Sequence, residues 1–283
     1  LTSYEQIRLS EAQSVSSVVQ VEPATPDYIA VEPNLLRNTL LAGLLGFLLS
    51  TGVLFLRESL DDTIRTPDDI SRKFNLPVLG VIEHHDPEEG TPISLSEPRS
   101  PVAESYRALR TNVNFSSIDH PIRKILITSA EPGEGKSTTI ANLGVVMAQS
   151  GKKVIVVDCD LRRPKIHTYF GLPNRVGMSS LFSHSTDILE SVKQQTRVEG
   201  LTVVTTGSLP PNPSELMSSQ RIQSIIKAMS ESADMVLIDT PPILTVTDAA
   251  ALAPSLDGVI FVIQPGQTRI SALKQTVEQM RQV

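Results

Sequence analysis

The segment from Ser129 to Thr138 reads Ser-Ala-Glu-Pro-Gly-Glu-Gly-Lys-Ser-Thr, and it constrains the fold more than any other stretch of the chain. It follows the β-branched run Lys124-Ile-Leu-Ile-Thr128 and opens a helical stretch that runs on to Ser150. A strand, a glycine-bearing loop and a helix in that order form a cradle for phosphate. Backbone N–H groups from Gly133 to Lys136 surround the anion, and the helix N-terminus adds positive potential there. Glycines are needed because such a loop visits dihedrals that a side chain forbids. Lys136 is placed to bridge the outer phosphates of ATP, and the Ser137 hydroxyl to ligate magnesium. Pro132, Gly133, Glu134, Gly135, Lys136, Ser137 and Thr138 form the expected nucleotide-binding set. The one departure from GxxxxGK followed by Ser or Thr is Ala130 at the first position.

The surrounding pattern predicts an α/β fold, a P-loop NTPase with a mostly parallel sheet flanked by helices. Apolar runs at 124–129, 152–158, 201–206, 233–239 and 257–263 alternate with helical stretches such as 214–230. Continuous apolar strands separated by helices are buried on both faces. Two runs end in acid: Val154-Ile-Val-Val-Asp158-Cys-Asp160 and Met235-Val-Leu-Ile-Asp239. Ligands of open α/β sheets gather at strand carboxyl ends, so Asp158, Asp160 and Asp239 are expected near the phosphates. With Ser137 they form the predicted metal set, and with Lys136 the predicted catalytic set. Helix capping is the alternative role for any one of these aspartates.

Composition narrows the partners. Aromatics are 4% of the chain with no Trp, and the net charge is -6, which argues against a base-stacking or phosphate-backbone partner; no nucleic acid is expected. The single cysteine, Cys159, forms no internal disulfide and holds no metal by itself. The chain from Asn38 to Leu56 carries no charge and lies between Arg37 and Arg57. As a helix it covers roughly 28 Å, close to the hydrocarbon thickness of a bilayer. Arg8 is the sole basic residue before Arg37, whereas Arg57, Arg65, Arg72 and Lys73 follow the run. The positive-inside rule therefore puts the N-terminal flank outside and the remainder in the cytoplasm, with membrane lipid as a partner.

Residues 1–34 read as the end of an extracytoplasmic domain with a proline-rich connector at Pro23, Pro26 and Pro33, and 35–57 as the transmembrane helix. Residues 58–100 read as a cytoplasmic segment, with a capped helix near Thr66 or Asp68 and a linker from His84 to Pro101. The P-loop domain occupies 101–283, with a further closing strand expected after Val283. His84 and His85 lack a third ligand nearby and read as a solvated loop.

Taken together, the P-loop SAEPGEGKST, the motifs VIVVDCDLRRP and VLIDTPP, and the stretches GSLPPNPSEL and Glu104-Ser-Tyr-Arg107-Ala-Leu-Arg110 resemble the bacterial tyrosine kinases fused to polysaccharide co-polymerases. That resemblance implies ATP-dependent protein-tyrosine autokinase activity governing capsule and exopolysaccharide assembly at the inner membrane. It implies that Asp158 and Asp160 serve magnesium and activate the tyrosine hydroxyl, leaving open which is the base, and that Asp239 organises magnesium. It also implies a ring-like homo-oligomer with Glu104, Arg107 and Arg110 at the contact. Polysaccharide polymerase and export machinery and a tyrosine phosphatase are the implied partners. Such kinases carry a tyrosine cluster at their C-terminus, whereas the tyrosines here are Tyr4, Tyr28, Tyr106 and Tyr169. Two rivals stand beside this reading. One is a partition-type P-loop ATPase, whose early signature lysine is replaced here by Glu131 or Pro132; the other is a nucleotide-binding scaffold without kinase activity.

Overall fold

The computed structural model describes residues 2–14, 26, 32–85, 91–116, 122–183 and 189–282. Most of the proline-rich connector, Pro23 and Tyr28 included, lies outside them, as do residues 86–90 of the expected linker. Contacts divide the chain into two units, Leu1–Asp61 and Asp62–Val283.

The first unit holds helices α1 (Thr2–Ser14) and α2 (Leu35–Ser59). Asn34 caps α2 by accepting from the Arg37 amide at 3.2 Å. The helix is long and apolar enough to cross a membrane, and none of its residues is buried.

The second unit is an open sheet between helical layers. It begins with α3 (Pro67–Phe74), α4 (Ile93–Ser96) and α5 (Pro101–Phe115). Next come β1 (Lys124–Ser129), α6 (Lys136–Ala148), β2 (Val154–Asp158), α7 (Ile166–Phe170), α8 (Met178–Ser183) and α9 (Leu189–Val192). The chain continues through β3 (Lys193–Gln195), β4 (Leu201–Val204), α10 (Pro213–Met217), α11 (Gln220–Ser232) and β5 (Met235–Asp239). It ends in α12 (Asp248–Leu252), β6 (Gly258–Val262) and α13 (Ile270–Arg281).

The strand order is β3-β4-β2-β5-β1-β6, parallel throughout except for β3, which runs antiparallel to β4. Alternation along each strand sends side chains to opposite faces. Ile125, Ile127, Val154, Val156, Leu201 and Leu237 pack with α5 and α6, while Leu126, Ile155, Val157, Val236 and Ile238 pack with α11 and α12. The register sets Asp158 beside Asp239, so both acids emerge at one edge of the sheet.

Residues 62–85 and 91–100 are more ordered than their polar composition suggests. α3 starts at a capping box in which Thr66 and Asp69 satisfy each other's backbone N–H, with Pro67 in the first turn. Ile64 and Phe74 share a small core with Leu273 and Val277 of α13. Ser94 is buried in α4 and its amide donates to Asn142 Oδ1 of α6 at 2.8 Å. A run rich in proline, serine and glutamate thus keeps Ile93 and Leu95 against the core, which composition alone does not show. The predicted helix at 214–230 is two helices, α10 and α11, meeting near Ser218 and Ser219.

Candidate active site

The loop between β1 and α6 turns on Gly133 and Gly135, at φ +91° and +86°. Both angles lie in the left-handed region, which costs a residue with a Cβ roughly 1–2 kcal/mol. Gly135 caps α6 without a side-chain bond, so the first amides of that helix keep their donors for a ligand. Glu134 turns inward and is only 4% exposed. Its carboxylate accepts from the Glu131 amide at 2.9 Å and from the Thr268 hydroxyl, and Thr268 Oγ1 in turn accepts from the Gln264 amide at 3.0 Å. Burial raises the Glu134 pKa despite those bonds. Sequence reading placed Glu134 in the loop for its backbone and missed Thr268, which no motif marks.

At the first turn of α6, Lys136 Nζ lies 3.1 Å from Asp160 Oδ2, 3.7 Å from Asp239 Oδ1 and 3.4 Å from Ser137 Oγ. The Ser137 hydroxyl donates to Asp239 Oδ2 at 2.7 Å. Burial alone would lower the Lys136 pKa, but Asp239 and Asp160 outweigh it and raise it. Lys136, Ser137, Asp160 and Asp239 are thus brought together as expected.

Asp158 is used differently from its two partners. Fully buried, it accepts from the Asp160 amide and the Ile166 amide, each at 3.1 Å, and so closes the turn that follows β2. Burial, with Asp239 nearby, pushes its pKa up to about 8. Burial also raises Asp239, against the opposing pull of Lys136 and Ser137. Asp160 sits at the rim, 4% exposed, with Oδ1 accepting from the amides of Arg162 at 3.3 Å and Arg163 at 2.9 Å.

The donor set suits magnesium held jointly with nucleotide. Among the described residues no group of three or more acidic, histidine or cysteine side chains is poised to hold an ion alone. Asp239 Oδ1 is nevertheless buried without a hydrogen-bond donor, beside the Ser137 hydroxyl. One carboxylate, one hydroxyl, water and phosphate oxygens are the surroundings magnesium favours. Tyr169 also reaches the site: its hydroxyl is 2.6 Å from Thr138 Oγ1, and burial raises its pKa. Nothing in the sequence pattern singled out that contact.

The stretch on α5 lies apart from this cluster. Arg107 pairs with Glu104 and donates to the Pro98 carbonyl at 2.6 Å. Arg110 donates to the Val146 carbonyl at 3.1 Å, near the C-terminal end of α6 where a cation is favoured. Tyr4 is exposed on α1, and Tyr106 is buried.

A family profile described as an AAA domain matches residues 122–283. Tyrosine-protein kinase YwqD of Bacillus subtilis is 47% identical over 176 residues, covering 62% of this chain and 74% of that protein. Tyrosine-protein kinase ptk of Acinetobacter johnsonii is 31% identical over 293 residues, covering 100% of this chain but 40% of that protein. Among solved structures, the kinase domain of Escherichia coli tyrosine kinase ETK superposes with a TM-score of 0.71 at 29% identity. That match covers 78% of this chain and 89% of the solved one.

Proposed function

The chain belongs to the bacterial tyrosine-protein kinases, and we propose that its sheet unit transfers the γ-phosphoryl group of ATP to tyrosine hydroxyls, its own chain's included. The observation that carries this reading is Lys136 held between Asp160 and Asp239 at the mouth of a glycine loop. The loop amides bind and orient the triphosphate, and Lys136 turns to its outer oxygens, where negative charge accumulates as the phosphoryl group moves. Ser137 and Asp239 would hold magnesium, which supplies further charge neutralisation at the phosphates.

A phenol with a pKa near 10 must lose its proton as the new O–P bond forms. Asp160 is the acceptor we assign, because its Oδ2 faces Lys136 whereas both Asp158 oxygens serve the amides of their own turn. The phenolic oxygen bonds to γ-phosphorus, the bond to the β–γ bridging oxygen breaks, the proton passes to Asp160 and ADP leaves.

In this reading α2 spans the inner membrane and holds the sheet unit on the cytoplasmic side. Neighbouring copies assemble as a ring through the face of Glu104, Arg107 and Arg110, in a system that polymerises and exports polysaccharide and is reset by a tyrosine phosphatase. The own-chain contacts of Arg107 and Arg110 would then order that face before a neighbour docks.

The test supplies the membrane-inserted chain, or its Lys136→Met variant, with ATP, magnesium and a tyrosine-containing acceptor peptide, and reads phosphotyrosine. Phosphotyrosine should fall by about 10²–10³-fold in the variant, as when one preorganised charge partner is removed. ATP binding with no phosphotyrosine in the parent would sink the kinase reading in favour of an ATPase or scaffold.

A further inference from the structure

Asp248 opens α12 and is 1% exposed, yet neither carboxylate oxygen has a hydrogen-bond partner. A buried carboxylate left so bare is costly unless a charge answers it. The charge that does so is Arg162, whose Nε lies 3.7 Å from Asp248 Oδ2. The far end of the same guanidinium, Nη2, donates to Ser214 Oγ of α10 at 2.8 Å. Arg162 therefore reaches from the turn after β2 to two helices at once, using the planar fork that distinguishes arginine from lysine.

Its backbone has a second task. The amides of Arg162 and Arg163 are the donors that orient Asp160 Oδ1, leaving Oδ2 to face Lys136. The other carboxylate beside Lys136, Asp239, ends β5, and the chain runs from it through residues 240–247 to Asp248 itself. The Cys159 amide also donates to the Asp239 carbonyl at 2.9 Å, so the two loops already touch at their roots. The Arg162–Asp248 pair fastens them again at their outer ends.

We infer that Arg162 is a positioning residue for phosphoryl transfer: by gripping Asp248 and Ser214 it holds the turn that aims Asp160 at Lys136 and the reacting groups. The inference rests on the kinase reading above. It separates two contributions of one side chain, neutralising a buried acid and fixing the angle of a carboxylate it never touches with its own guanidinium.

The experiment uses the whole chain in detergent or nanodiscs, with ATP, magnesium and a saturating tyrosine-containing acceptor peptide, reads phosphotyrosine, and measures kcat, KM for ATP and Tm together. Arg162→Met should lower kcat about 10–100-fold, the scale of a small misplacement at a reacting centre. KM for ATP should stay within about threefold, because the loop amides and Lys136 are untouched. Arg162→Lys should recover part of kcat, since an ammonium can answer Asp248 but cannot grip both partners. The deciding variant is Arg162→Met with Asp248→Asn, which removes the stranded charge without restoring the grip. Its Tm should return toward the parent while kcat stays low. Recovery of kcat along with Tm would overturn the inference and leave Arg162 a structural ion-pair partner, as would an undiminished kcat in Arg162→Met. A parent that binds ATP and forms no phosphotyrosine would overturn the kinase reading and this inference with it.

Discussion

Helices α2 and α6 are both apolar over most of their surface, yet every described residue of α2 is exposed while α6 is buried from Thr139 to Ala148. Their polar side chains explain the difference better than their apolar ones. On α6, Asn142 accepts from the Ser94 amide and donates to the Thr138 carbonyl, Thr138 meets Tyr169, and Ser137 meets Asp239. Each of these residues is answered by another part of the fold, as a helix enclosed by protein requires. On α2 the Ser50 hydroxyl turns back to the Gly46 carbonyl of its own helix. A hydroxyl satisfied within its own helix suits a medium that offers no partners, which is the bilayer proposed for α2.

The largest expected effect sharpens that contrast in packing. Leu143 is fully buried on α6, and Leu143→Ala should cost the sheet unit about 2–5 kcal/mol through lost burial and the cavity left behind. Leu48 on α2 is exposed, and Leu48→Ala should leave the same transition where it was. Chemical denaturation of the solubilised chain would decide it, and equal shifts for the two would remove the contrast.

Charge sharpens it next. Between Arg37 and Arg57 α2 has no titratable side chain, whereas the N-terminus of α6 faces a buried acid cluster. In the nucleotide- and metal-free protein, folded Asp158 keeps its proton up to about pH 8, while an unfolded aspartate releases it near pH 4. Between those values the folded state binds more protons, so this group's contribution falls as pH rises and levels off above about pH 8. One such proton gives a slope of at most about 1.4 kcal/mol per pH unit. Asp158→Asn should therefore gain stability relative to the parent from pH 5 to pH 8. A difference between the two that stays constant with pH would show that Asp158 is ionised in both states.

The parts of this molecule that were legible in its sequence share a physical cause. β1, β2, β4, β5 and β6 are each lined on both faces, so their residues form unbroken β-branched runs that stand out from the polar background. β3 was missed because Lys193-Gln-Gln195 is a polar edge strand with nothing apolar to announce it. Lys136 and Ser137 were legible because they follow a glycine loop and open a helix, and Asp239 because it closes an apolar strand. The division of labour between Asp158 and Asp160 was not, since it depends on which backbone amides each carboxylate meets. Asp248 reads as an ordinary helix start in Val-Thr-Asp-Ala, and its burial against Arg162 is a tertiary fact.

The smallest effects are the most discriminating, because they change one methyl group on a glycine of each helix. A Cβ on Gly144 of α6 would lie 2.8 Å from Val156 Cγ2 and 3.4 Å from Leu201 Cδ1. Both neighbours belong to strands in the middle of the sheet, so the helix must lift or the valine must leave its rotamer. Gly144→Ala should destabilise the sheet unit by about 1–3 kcal/mol, as overpacking does. A Cβ on Gly46 of α2 meets nothing within 4 Å, and there the alanine should favour the helix by about 0.5–1 kcal/mol. Glycine is thus kept at Gly144 for close approach to β2, while at Gly46 the fold of this chain makes no such demand. Circular dichroism and denaturation of the two variants would show opposite signs. If Gly46→Ala instead weakened self-association in the bilayer, Gly46 would lie at a contact between membrane helices, where small residues let backbones approach. The comparison would then change from a packed helix and a free one to two packed helices in different solvents.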